Sequence, residues 1–157
     1  MGNLKLKLCL GIGNAAPASS GTGITFPASQ SGSSDSNTLD DYREATATIT
    51  ATTGFATAPS GTASFTRVGA AVTMQLPYIN GSSNTTTFVT DASVPTAFRP
   101  SVDRDALCYL MDNGASSVGI VRVGTTGTLT FFKDPGGTAF TASGIKRCNN
   151  VCISYIV

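Results

Sequence analysis

The chain has 157 residues, 41% of them hydrophobic, and a formal net charge of +1, so it is neither disordered by composition nor electrostatically marked for nucleic acid. Charged residues make up 12%, about half the usual share, and Thr, Ser, Gly, Ala and Asn take their place. Uncharged surfaces of this kind suit a β-rich protein that associates with others. No histidine is present, which removes most nucleophile–base–acid arrangements and most catalytic metal sites.

In chain order, Leu4, Leu6, Leu8 and Leu10 alternate with Lys5, Lys7 and Cys9. Period two predicts a strand. A lone strand cannot bury that leucine row, so it requires a partner. Gly11-Ile12-Gly13-Asn14 breaks the run. Gly11 and Gly13 form G-x-G, without the third glycine or the helix that a dinucleotide site needs. Lys5 and Lys7 interrupt the apolar core a signal peptide would have. No apolar run reaches the length of a membrane-spanning helix, and Leu6 stands where a myristoylation motif requires Ser or Thr. Residues 14–23 read as loop, residues 23–28 as a short extended piece confined to an edge by Pro27, and residues 29–38 as flexible linker. Residues 1–38 are therefore read as an extended N-terminal arm with a Ser-rich linker. Residues 39–157 are read as the folded domain, long enough to bury about two-thirds of its unfolded surface.

Leu39-Asp40-Asp41-Tyr42-Arg43-Glu44 is expected to form a turn or one helical turn, capped by Asn37 or Thr38. It lacks the glycine and terminal glutamate of a calcium loop. Residues 45–52 alternate and predict a strand. Residues 54–61 are a turn region, residues 62–68 a strand ended by Gly69. Residues 71–78 show the clearest alternation, with Val72, Met74, Leu76 and Tyr78 inward and Thr73 and Gln75 outward. Asn80-Gly81 signals a turn, residues 85–89 another strand, and residues 95–100 an irregular crossing. Residues 106–111 and 117–123 flank Asp112-Asn113-Gly114 as a hairpin. Residues 124–127 turn into a strand at 128–132, and Asp134-Pro135-Gly136-Gly137 is a strong turn. The last strand spans 151–157, with Val151, Ile153, Tyr155 and Val157 on one face.

About eight short strands with no helical period predict an all-β fold, an antiparallel β-sandwich or jelly-roll-like domain with an extended N-terminal arm. The four cysteines, Cys9, Cys108, Cys148 and Cys152, lack the paired spacing of a zinc site and read best as buried thiols in strands, with a disulfide within or between subunits as the alternative. On one regular strand Cys148 and Cys152 would share a face about 13 Å apart, too far to bridge. A glycan-cleaving enzyme would need paired carboxylates in a cleft, yet the acids are scattered in turns. Asp40 and Asp41 are adjacent and would point to opposite faces of a strand. No catalytic, cofactor-binding or metal-binding residues are assigned, and the chain is expected not to be an enzyme.

Several segments together resemble the C-terminal modules of tailed-bacteriophage appendage proteins, the tail fibres, tailspikes and related virion fibres. They are Gly23-Ile24-Thr25-Phe26-Pro27-Ala28, the Ser/Asp/Asn linker, and Thr38-Leu39-Asp40-Asp41-Tyr42 with Glu44. Downstream come Phe65-Thr66-Arg67-Val68-Gly69 with Val72-Thr73, Pro95-Thr96-Ala97-Phe98-Arg99-Pro100, and Ile153-Ser154-Tyr155-Ile156. The family usually reads Asp-Tyr-Glu-Glu-Gly-Thr where this chain has Asp41-Tyr42-Arg43-Glu44-Ala45-Thr46. The resemblance implies a homotrimeric β-sandwich tip whose N-terminal arm docks on the virion.

On that footing the expected function is a bacteriophage virion structural protein, a small trimeric fibre or decoration protein held on capsid or tail by Leu4, Leu6, Leu8 and Leu10. The alternative is the host receptor-binding tip of a tail fibre, reading surface glycan or protein through turns at Asn80 to Asn84, Asn113 to Ser117 and Asp134 to Thr138. The expected partners are other copies of the chain, capsid or tail proteins, and in the alternative a host-surface glycan or protein. Nucleic acid, membrane insertion and cofactors are not expected, and the expected location is the virion.

Overall fold

The computed structural model describes Leu10–Gly11, Ile24–Thr25 and residues 41–157. The chain divides into two compact units, Met1–Tyr42 and Arg43–Val157. In the first, β1 (Leu10–Gly11) pairs in parallel with β2 (Ile24–Thr25), Leu10 opposite Ile24 and Gly11 opposite Thr25. Gly11, expected to end the leucine run, is therefore itself a ladder residue. Leu4, Leu6 and Leu8 lie outside the described residues.

The second unit is built from two sheets. The first has four strands in the order β11–β5–β4–β3, where β3 is Tyr42–Thr50, β4 Ser60–Val68, β5 Ala71–Leu76 and β11 Val151–Ile156. The second has five, β6–β10–β7–β8–β9, where β6 is Ile79–Ser82, β7 Arg104–Asp112, β8 Ala115–Val123, β9 Leu129–Phe132 and β10 Ile145–Cys148. The pairings in the five-stranded sheet are antiparallel, as are β4–β5 and β5–β11. The all-β, two-sheet expectation holds. The inner faces share one core: Ile49, Phe65, Met74, Leu76 and Ile153 from one sheet, Ile79, Leu110, Val121, Leu129 and Phe131 from the other. Phe88, in the long loop from β6 to β7, packs edge-on against Phe55 at 4.8 Å and stacks on Phe131 at 4.2 Å.

Alternation is obeyed where the strand is regular. In β5 the residues Val72, Met74 and Leu76 are buried while Thr73 and Gln75 are exposed. The expected inward Tyr78 is instead 49% exposed. Pro77 ends the strand and the chain changes sheet there, so the phase of the alternation is lost and Ile79 becomes the buried residue. Asn80-Gly81 is strand, not turn. Gly81 serves close approach instead: a Cβ there would lie 2.9 Å from the Phe55 ring.

Residues 85–89 are loop rather than strand, except for bridges from Val89 to Thr53 and Thr130. The expected turn at 39–44 is also corrected over its described part, because β3 already begins at Tyr42. The hairpin at Asn113-Gly114 forms as expected, with φ of 48° and 86° at the two central residues, the conformation a two-residue hairpin loop needs.

One strand, β10, was not expected. Its sequence Ile-Lys-Arg-Cys hides an inward lysine. Lys146 is 0% exposed, and its ammonium donates to the carbonyl oxygens of Gly54 at 3.1 Å, Thr87 at 2.6 Å and Thr85. It also lies over the Phe55 and Phe140 rings. Burial pushes this ammonium below its ordinary pKa and the nearby Asp112 opposes that shift. Asn149 and Asn150 then carry the chain from the five-stranded sheet back to the four-stranded one. Cys148 and Cys152 are thus on different strands. Cys148 and Cys108 are buried thiols as expected, but Cys152 is exposed because it falls on the outer face of β11.

Candidate functional face

The two outer faces of the sandwich differ in kind. On the four-stranded sheet the outward residues include Thr46, Thr48, Thr62, Ser64, Thr73, Gln75 and Ser154. Most are small hydroxyl and amide groups, with Thr73 and Ser154 paired across strands at 3.4 Å, and an apolar row, Val68–Ala71–Ile156, lies at the end of the strands. This is the polar outer face usual for an antiparallel sheet.

The five-stranded sheet breaks that rule. Its middle strand β7 presents Asp105, Leu107, Tyr109 and Met111 outward, and β8 presents Ser116, Val118, Ile120 and Arg122. Leu107 pairs with Ile120, which pairs with Phe132 on β9, giving an apolar row across three strands. Tyr109 opposite Val118 forms the next row. Leu107 is 63% exposed, Val118 53% and Tyr109 46%, the largest exposures for apolar side chains inside any described strand of this sheet.

The ends of this face are polar. At one end Arg122 grips Asp105 through two hydrogen bonds of 2.8 and 2.9 Å and lies over the Phe132 ring. The guanidinium holds the Asp105 carboxyl below its ordinary pKa. At the other end Arg147 stands between Asn80 and Met111 in the ladder and lies 5.9 Å from the Tyr78 ring. Its Nε is buried without a hydrogen-bond partner.

The residues expected to contact a receptor do not gather into one place. Asn80 lies in edge strand β6, next to Arg147. Asn84 is exposed but its amide donates to the Phe55 carbonyl at 2.8 Å, which ties the loop down. Asn113 sits at the β7–β8 hairpin turn, and Asp134 at a turn in the connection from β9 to β10. The Asp134 carboxylate accepts from the backbone N–H groups of Gly136 and Thr138, so it shapes its own turn. Leu10 belongs to the first unit and pairs with Ile24.

Three other carboxylates are engaged by groups distant in sequence. Asp91 accepts from Thr50 N–H, Asp103 from Thr125 N–H, and Asp112 from the N–H and hydroxyl of Thr141. Among the described residues no three His, Cys, Asp or Glu side chains come together, and no helix is long and apolar enough to cross a membrane. Surface depressions among the described residues are shallow or small. One of about 510 Å³ lies over β3 and β4, lined by Glu44, Thr46, Ser64 and Thr66 among others, and one of about 90 Å³ lies beside Phe88 and Phe132.

The apolar face was legible only as an anomaly. The β5 sequence Ala-Val-Thr-Met-Gln-Leu alternates, whereas the middle of β7, residues 106–111, reads Ala-Leu-Cys-Tyr-Leu-Met with no charged residue in alternate places. An antiparallel strand without alternation has both faces in apolar surroundings.

No protein-family model and no curated protein matches the chain. Among solved structures it is similar to the reovirus attachment protein sigma1, in a crystal structure with α-2,3-sialyllactose, at a TM-score of 0.43 and 17% identity. The match covers 72% of this chain and 66% of that one.

Proposed function

We propose that the chain is a virion structural protein of bacteriophage fibre or decoration type, assembled as a homotrimer and attached to capsid or tail through its N-terminal residues. The observation that carries this reading is the contrast between the two outer faces. A chain with so few charges and one broad apolar sheet face is built to be covered in an assembly. The segments that resemble appendage modules, from Gly23-Ile24-Thr25-Phe26-Pro27-Ala28 to Ile153-Ser154-Tyr155-Ile156, point the assembly to a virion. In this reading the protein acts by binding rather than catalysis; the engagement of the Asp91, Asp103, Asp105, Asp112 and Asp134 carboxylates by backbone, hydroxyl or arginine groups supports it. A decoration protein stabilises a particle by binding the assembled lattice in preference to its free subunits.

A second reading rests on the other end of the same sheet. Tyr78, Arg147 and Asn80 combine an exposed aromatic ring, a guanidinium and a side-chain amide at a corner of the sandwich. That combination suits a host-surface glycan or protein.

The test is a split co-sedimentation of labelled protein with particles lacking it and with host cells. The structural reading expects pelleting with particles alone, and loss of that pelleting when residues 1–13 are deleted while the far-UV spectrum is kept. Pelleting with cells only, reversed by soluble surface glycan, overturns it in favour of the second reading.

A further inference from the structure

We infer that the outer face of the five-stranded sheet is where copies of this chain pack on one another, with the middle strand β7 nearest the symmetry axis. The inference rests on the self-assembly part of the proposed function and assigns it a surface. Its core is Leu107, Tyr109, Val118, Ile120 and Phe132, with Met111 at the margin.

Four observations choose a second copy as the occupant. The first is extent. Five strands at about 4.8 Å spacing and about six residues at 3.4 Å give a face roughly 24 by 20 Å. With side-chain relief its accessible area is of the order of 600–800 Å², the share one partner brings to a standard-size interface. The second is composition. Tyr, Phe and aliphatic groups in the core with Met and arginine at the margin is the pattern of a protein–protein patch, and no lysine or glutamate projects from it.

The third is charge. Asp105 and Arg122 neutralise each other within the face, and the whole chain carries only +1, so two copies meet without repulsion. A strongly charged partner would find no complement here. The fourth is position. Among the described residues the most exposed large apolar side chain, Leu107, stands on the middle strand of the five. Symmetric copies turned toward a common axis bury the middle strand most deeply, with the β10 half of one face against the β8–β9 half of the next.

The test is sedimentation of the full-length protein at high micromolar concentration, with Leu107→Asp and Val118→Asp as the disrupting pair. Thr48→Asp with Thr73→Asp on the opposite face is the control. The wild type and the control pair are expected to sediment as two or three copies, and the Leu107/Val118 pair as a monomer with an unchanged far-UV spectrum. A monomeric wild type overturns the inference, as does a folded Leu107/Val118 pair that still associates. If that pair does not fold, hydroxyl-radical footprinting of the wild type decides. Leu107, Tyr109 and Val118 are expected to be protected in the concentrated sample and exposed on dilution, and equal labelling in both refutes the assignment. Particle co-sedimentation is read separately, so a failure of this interface is distinguishable from a failure of the virion reading.

Discussion

Lys146 offers the sharpest test of how this fold is held. By its position in Gly-Ile-Lys-Arg-Cys it passes for a surface residue, whose replacement would change stability by less than about 0.5 kcal/mol. In the structure it is fully buried and its ammonium joins β10 to two loops, at Gly54 and at Thr85 and Thr87. Lys146→Met keeps most of the volume and removes the charge. Relief of the ammonium's desolvation favours the variant. Against that, three charge-assisted hydrogen bonds are lost, and each carbonyl left unpaired in a buried place costs about 1–3 kcal/mol. The Gly54 carbonyl is in the buried setting, whereas Thr85 and Thr87 are exposed residues whose carbonyls water can partly serve. The expected net loss is therefore about 2–3 kcal/mol, a fall in melting temperature of roughly 10 °C for a domain of this size. Urea unfolding followed by far-UV circular dichroism measures it, with Lys133→Met, a half-exposed lysine, as the control. A Lys146→Met stability within about 0.5 kcal/mol of wild type would refute the idea that the ammonium joins sheet and loops. Gly54→Ala probes the same junction from the other side. Its φ is +105° and a Cβ would lie 1.9 Å from the Thr87 oxygen, so a loss of more than about 2 kcal/mol is expected in the same assay.

Other expectations concern protonation, thiols and one tyrosine. Burial raises the Cys108 thiol to about 12 and also pushes up Cys148 and the Tyr155 phenol. Groups with raised folded values contribute stability that is intact below their ordinary values and lost as pH climbs toward the folded ones. Lys146, shifted down, works in the opposite sense. Three groups against one predict a falling melting temperature from about pH 9 to pH 12, and a flat profile to about pH 11 would contradict the burial described. Maleimide labelling of the native protein near neutral pH, read by peptide mass, should modify Cys152 and leave Cys108 and Cys148 untouched until urea is added. The Tyr155 hydroxyl donates to the Phe98 carbonyl at 2.8 Å in a buried setting. Tyr155→Phe should therefore cost about 1–2 kcal/mol in urea unfolding, and no measurable change would count against that bond.

The β class was legible in the sequence because side-chain period is a local property. Val72, Met74 and Leu76 alternate with Thr73 and Gln75 whatever the strand pairs with, and Asn113-Gly114 meets the needs of its turn with its own backbone. Three features were not local and so could not be read. Whether Asn80-Gly81 turns or extends depended on Pro77 sending the chain to the other sheet, where β10 is its partner. Lys146 is inward because the Gly54, Thr85 and Thr87 carbonyls, 59 to 92 residues away, converge on its ammonium; sequence periodicity carries no record of such distant acceptors. The apolar face needed the register of three strands to join Leu107, Ile120 and Phe132 into one row. Residues 106–111 in the middle of β7 are apolar on both sides, and that is a property of the sequence alone. Only the tertiary structure decided which side meets the core and which is left for another molecule, because that depends on where the second sheet packs.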